Sequence, residues 1–198
     1  MNLFLQEHKC IDFSAPNIQE KVATLFAGLQ GNILKARAAF EFVRDEIPHS
    51  FDIGADIITV KASDVLQYQT GICHAKANLL AALLRSQDIP AGLCFQRLTL
   101  ADDDLKGYVV HCYNAIYLDG RWVKVDARGN KPGIDAQFST DVPVLAFPCR
   151  PEYDEYFWPG IYTAPHQETM QMLERATCLQ DVLDNIPDMI TEQPDIWG

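Results

Sequence analysis

The stretch GICHAKANLLAALLRSQDIP leaves this chain few folds to choose from. From about Cys73 to Gln87 it reads as a helix, closed by Asp88 and Pro90. At 100° per residue its polar stripe is narrow (His74, Asn78, Arg85), while Leu79, Leu80, Leu83, Leu84 and four alanines cover most of the remainder. A helix that is apolar nearly all round is stable only when other elements enclose it, so it must be central. Alanine-rich faces admit close approach of neighbouring backbone, which places this helix against a sheet.

The flanking sequence supplies that sheet and a helical cover. Asn17 followed by Glu20 reads as a capping-box start, with Ile18, Val22, Leu25, Phe26 and Leu29 at helical spacing and Gly31 and Asn32 as the end. A second helix runs from about Leu34 to Glu46, where Ala36, Ala39, Phe40, Val43 and Ile47 form a stripe and Pro48 forbids continuation. Between Phe51 and Gln69 the pattern predicts only a short extended piece at Ile57 to Val60. Three strands follow, Ala91 to Leu100, Gly107 to Leu118 and Arg121 to Ala127. An acidic loop, Ala101 to Lys106, separates the first two, and Asp119 with Gly120 turns the second into the third. Helices followed by an antiparallel meander read as α+β. Beyond Phe138 the chain is rich in aromatics and proline through Pro165, then ends in short helices near Glu168 to Ala176 and Leu179 to Asn185.

At 198 residues, 48% hydrophobic and 22% charged, the expectation is one domain over 1–198, with a core at about 17–130 and an extension, 131–198, packed on it. A chain this long needs neither metal nor disulfide to hold its core. The six cysteines, Cys10, Cys73, Cys94, Cys112, Cys149 and Cys178, show no C-x-x-C pair, and the start MNLFLQEHKC lacks a signal peptide's layout. Reduced thiols and a cytoplasmic location follow as expectations. The longest apolar stretches fall short of the ~20 residues that span a bilayer. A net charge of -11 argues against nucleic acid or an anionic membrane as partner and favours neutral or basic peptide-like substrates.

Chemistry enters at Cys73. A cysteine in the first turn of a buried helix has unpaired N–H groups beside its sulfur, which favours thiolate over thiol. Gly71 permits a tight turn before it, and the Cys73 N–H is a candidate oxyanion donor. Most buried cysteines are only small apolar fillers, so a base is needed to raise the claim. If Asp119 and Gly120 form a two-residue I′ turn, Leu118 pairs with Arg121, Tyr117 with Trp122, and His111 and Asp126 become diagonal neighbours on one sheet face. The carboxylate then fixes the imidazole tautomer while the other ring nitrogen faces a thiol on the helix packed against that sheet. His111 alone reads as a satisfied core histidine and Asp126 alone as a strand-end cap; together with Cys73 they read as a triad.

The runs GICHAKANLLAALLRSQDIPAGL and HCYNAIYLDGRWVKVDARGN resemble the core of the transglutaminase-like superfamily of papain-like cysteine enzymes. The family signatures are a Gly-x-Cys opening a helix, a His leading a strand, and an Asp closing the next strand after a turn and a Trp. They fall on Cys73, His111 and Asp126, and the resemblance covers about Ala36 to Asn130. Where the family often has Ala-Trp after the histidine, this chain has Cys112 and Tyr113. The DARGN sequence resembles small bacterial members. The resemblance implies a papain-like fold and a Cys73, His111, Asp126 trio.

Such a trio attacks an amide in a peptide or small molecule to form a thioacyl enzyme, with no cofactor. Water then completes a protease or amidase reaction, a primary amine completes a transglutaminase reaction, and hydrolysis is the favoured outcome because no second channel for an amine is evident. A non-catalytic interaction domain on the same fold is the rival reading. Gln67 and Gln69 precede the cysteine at distances from which an amide reaches back as a second oxyanion donor, although solvated glutamine is the commoner fate. Tyr113 and Trp122 share the His111 face and are candidates to line an acyl groove, against a default of hairpin packing. His74 should face away from the partner of Cys73, and Arg128 should neutralise nearby acid or cap its strand. A metal site built from Cys94, Cys112 and His111 is rejected, since residues 111 and 112 point to opposite faces. The segment CRPEYDEYFWPGIY either folds over the cleft or covers a sheet edge.

Overall fold

The computed structural model describes residues 1–100 and 107–196, so the predicted acidic loop at 101–106 lies outside the described residues. Helix α1 (Pro16–Leu25) opens on a proline in its first turn, where a missing N–H costs nothing. The predicted capping box does not form. The Asn17 side chain instead accepts from the Ile18 N–H and donates to the Ser63 carbonyl, and the helix stops at Leu25 rather than Leu29. Gly31, at φ 82°, precedes α2 (Asn32–Glu46) as its cap, so the pair predicted to end one helix begins the next. The stripe Ala36, Ala39, Phe40, Val43 and Ile47 is wholly buried, as its spacing predicts.

Two short helices, α3 (Ser50–Ile53) and α4 (Ala62–Tyr68), occupy the stretch where the sequence offered only an extended piece, and Ile57–Val60 forms no strand. Seven residues or fewer complete too few turns to leave a helical period. The start of α4 is marked by the Lys61 N–H donating to Asp64 Oδ2 at 3.1 Å.

Helix α5 (Cys73–Arg85) is buried along its entire length, including Lys76, which lies outside the predicted polar stripe. It is packed against α2 and α4 and against two strands, β1 (Ala91–Thr99) and β2 (Tyr108–Leu118). Close approach to the sheet is direct, for Asn114 Nδ2 donates to the Ala77 carbonyl of the helix at 3.0 Å. Strand β3 (Arg121–Val125) pairs with β2, and β4 (Tyr156–Phe157) pairs with the free edge of β1, so the antiparallel order is β3-β2-β1-β4. Asp119 (φ 49°) and Gly120 (φ 84°) make the two-residue turn, and Leu118 faces Arg121 and Tyr117 faces Trp122 as predicted. The chain closes with α6 (Gln167–Arg175) and α7 (Leu179–Asn185).

Side chains of β2 alternate between two cores. Val110, Cys112, Ile116 and Leu118 join the main core with α5, while Tyr113 and Ala115 meet Phe4, Cys94 and Ile161 on the other face. Helices and an antiparallel sheet enclosing α5 make this an α+β fold. All six cysteines are unpaired thiols. Among the described residues no helix is long and apolar enough to cross a membrane.

Candidate active site

The site forms where one ladder stops early. Pairing of β3 with β2 ends at Asn114 and Val125, although β2 extends back to Tyr108. Three other groups occupy the exposed edge. The Val110 N–H donates to the Pro187 carbonyl at 2.9 Å, His74 Nε2 meets the Val110 carbonyl at 2.9 Å, and the Cys112 N–H donates to the Cys73 sulfur. The N-terminus of α5 is thereby docked on the edge of β2. The sequence expectation that the thiol meets His111 across a sheet face needs correcting: α5 packs on the Cys112 and Asn114 face, and Cys73 reaches His111 around the strand edge.

His111 Nε2 donates to Asp126 Oδ2 at 2.8 Å, which leaves Nδ1 for its hydrogen bond with the Cys73 thiol. Asp126 is fixed in turn by the Arg128 N–H at Oδ1 (3.1 Å) and the Ala146 N–H at Oδ2 (3.1 Å). Burial alone pushes the Cys73 thiol up, but the charge and hydrogen bond of His111 and the Cys112 N–H outweigh it, so the thiol sits below its ordinary pKa. Burial pushes His111 down, yet Asp126 and Cys73 together raise it well above the usual imidazole range. The two shifts favour a thiolate–imidazolium pair.

A cavity of about 520 Å³ opens beside Cys73 and His111, within the range of small-molecule sites. Ile72, Leu98, Val109, Phe147, Leu183 and Ile186 give it an apolar wall, and its charged lining is Arg128, Lys131, Arg150 and Glu155. Arg128 and Lys131 both pair with Asp52, and Arg150 pairs with Glu155, so the three cations of the lining are met by carboxylates. Residues beyond 131 therefore both wall the cavity and, through β4, cover the edge of β1.

The remaining candidates are placed elsewhere. Gln67 and Gln69 are exposed and do not line the cavity; Gln69 Nε2 donates to the Leu66 carbonyl. Tyr113 is buried with its ring 6.4 Å from that of His111, and Trp122 packs against Phe4 and Tyr117 at 4.8 and 5.4 Å between centroids. Neither lines the cavity, because both rings belong to the cluster with Phe4, Cys94 and Ile161 on the other face of the sheet. His74 is held by the Val110 carbonyl, and burial pushes its pKa down to about 3. Arg128 forms a two-pronged pair with Asp52, which also accepts from Lys131 Nζ at 2.7 Å. Gly71 is not in a left-handed turn; it sits in a crowded spot, where an added Cβ would lie 3.1 to 3.2 Å from Thr59, Ala75 and Val65.

His49 carries no signal in the sequence, because it lies in a stretch without periodicity. The Cys73 N–H, expected to face a substrate carbonyl, donates instead to His49 Nε2 at 3.1 Å. Among the described residues no three His, Cys, Asp or Glu side chains are grouped to hold a metal ion.

A search of curated proteins finds no match to this chain. A solved structure from Cytophaga hutchinsonii, proposed to be a cysteine protease, is 19% identical over 63% of this chain, with a TM-score of 0.47. The match spans 40% of that protein's length. The family model described as the transglutaminase-like superfamily matches residues 19–127, which take in α1 through the three-stranded meander and all of Cys73, His111 and Asp126. With more than half of its length matched, this chain belongs to the transglutaminase-like superfamily.

Proposed function

We propose that this protein is a cysteine hydrolase acting on an amide through a thioacyl enzyme. The observation that carries the reading is the hydrogen-bonded chain from the Cys73 thiol through His111 to Asp126, at the wall of a cavity large enough for an acyl group. The Cys73 thiolate bonds to the amide carbon. As the tetrahedral intermediate collapses, the C–N bond breaks and the His111 imidazolium gives its proton to the departing amine. Water then attacks the thioester, His111 takes a proton from it, and the C–S bond breaks to release a carboxylic acid and regenerate the thiolate. Asp126 holds His111 in orientation.

The apolar wall of the cavity favours an apolar acyl group. A primary amine in place of water would make the reaction a transglutamination. To separate these outcomes, a glutamine-containing peptide library is incubated with and without a labelled amine. Cleavage or deamidation without incorporation supports hydrolysis, and incorporation supports transfer. Alkylation by iodoacetamide near neutral pH tests the enzymatic reading itself: a Cys73 no faster than an ordinary thiol, with no dependence on His111, favours an interaction domain.

A further inference from the structure

The open surface at Cys73 does not end at His111. Phe147 and Pro148, which wall the cavity of the nucleophile, also wall a second hollow of about 510 Å³ on the sheet face that carries His111. Tyr113 lines that hollow two residues beyond His111 on β2, its ring stacked on the imidazole at 6.4 Å between centroids. Phe157 of β4 meets Tyr113 edge-on at 6.2 Å. Val144 and Phe157 are 39% and 40% exposed there, so apolar surface is left for a ligand to cover. The one charged group of the lining is the half-buried Lys124 of β3. Arg128, Lys131 and Arg150 of the first cavity are each paired with a carboxylate, whereas among the described residues Lys124 forms no ion pair and no carboxylate lines its hollow.

We propose that this second hollow is the subsite for the amine half of the substrate, and that Lys124 selects an amine half ending in a carboxylate. The amide cleaved is then that of an acylated short peptide. This rests on the acyl-transfer reading above, in which His111 gives its proton to the departing amine. The acyl half lies in the cavity beside Cys73, so the amine nitrogen must stand at His111. From there the amine half continues past the imidazole, across Phe147 and Pro148, and into the hollow that the same two residues wall.

Length and charge both point to a dipeptide. Lys124 faces Ala115, four residues along β2 from His111, which is a span of about 13 Å at the backbone. Two extended residues reach about 7 Å, and the side chains of His111 and Lys124 close the remainder. The ammonium of a lysine is a compact point charge, so one carboxylate satisfies it without a second cation. The apolar rings and Val144 then cover the side chains of the amine half.

Benzoyl-Leu-Leu and its C-terminal amide share one acyl group and differ only in the terminal carboxylate of the amine half. Release of Leu-Leu or of Leu-Leu amide by the full chain, followed by mass spectrometry, gives kcat/KM for each. The wild type is expected to favour the acid by about three- to tenfold, Lys124→Met to bring that ratio to about one, and Lys124→Glu to reverse it. A wild-type ratio of one or less, or a ratio that neither substitution moves, overturns the proposal. The subsite is also read without chemistry, by NMR titration of Leu-Leu and Leu-Leu amide into the full chain carrying Cys73→Ala. Leu-Leu is expected to bind more tightly by a similar factor and to lose that advantage when Lys124→Met is added. Absence of carboxylate-dependent binding overturns the subsite whatever the rates. Should Leu-Leu bind in this way while wild-type Cys73 is alkylated by iodoacetamide no faster than an ordinary thiol, the acyl-transfer reading fails and the subsite stands.

Discussion

At the scale of single residues, the reactivity of Cys73 is set by opposing effects of burial and of His111. Burial raises the thiol and the imidazolium lowers it, with the second prevailing. Alkylation of the wild type is therefore expected to have a midpoint below that of an ordinary thiol. His111→Ala leaves burial opposed only by the Cys112 N–H and should move the midpoint up from that of the wild type, as read from iodoacetamide rates against pH. Lys76 obeys the reverse logic. Burial first, and Arg128 second, lower its pKa to about 7, while its Nζ donates to the Ile47 carbonyl. A lysine ordinarily titrates near 10.4, so between about pH 7 and 10 the unfolded chain binds a proton there that the folded chain does not. Stability contributed by this site must rise with pH across that window. Lys76→Met should remove that part of the rise, measured as the difference in melting temperature between variant and wild type from pH 7 to 9.

At the scale of elements, close approach is what several glycines supply. A Cβ on Gly92 of β1 would lie 2.3 Å from Ile161 and 2.9 Å from Phe4, so Gly92→Ala is expected to cost about 1–3 kcal/mol by denaturant unfolding. No pattern in the sequence announces that crowding, because Phe4 and Ile161 come from opposite ends of the chain. Elements with a strong period were legible: α2 and α5 from their apolar spacing, and the meander from the Asp119–Gly120 turn, whose parity also brought His111 beside Asp126. What escaped were α3, α4 and β4, too short to carry a period, and the start of α1, where Asn17 bonds to Ile18 and across to Ser63 instead of closing a capping box. The approach of Cys73 to His111 was misread for a related reason. Periodicity fixes which face a side chain takes, but the length of β3, which decides where α5 can dock, is a tertiary outcome. The place of His49 was illegible because it depends on a single contact with the Cys73 N–H across 24 positions.

At the scale of the whole molecule, Arg85 ties distant segments into one body. Its guanidinium donates to the carbonyls of Gln6 at 2.7 Å, Ala91 at 3.0 and 2.8 Å, and Thr163 at 2.7 Å. Arg85→Met would strip these buried carbonyls of a donor at once, and a loss of more than about 2 kcal/mol is expected in urea unfolding. Because the extension past 131 walls the cavity, the same variant should also slow acylation of Cys73. The stretch of β2 that β3 leaves bare sets a further limit on ligands. Pro187, His74 and the Cys73 sulfur already occupy its backbone groups, so a peptide cannot lie down there as one more strand. Recognition then falls to the shape and charge of the acyl group in its chamber. Inhibitors built as extended backbone mimics should fail against this protein where compact apolar electrophiles succeed, as read from rates of Cys73 labelling.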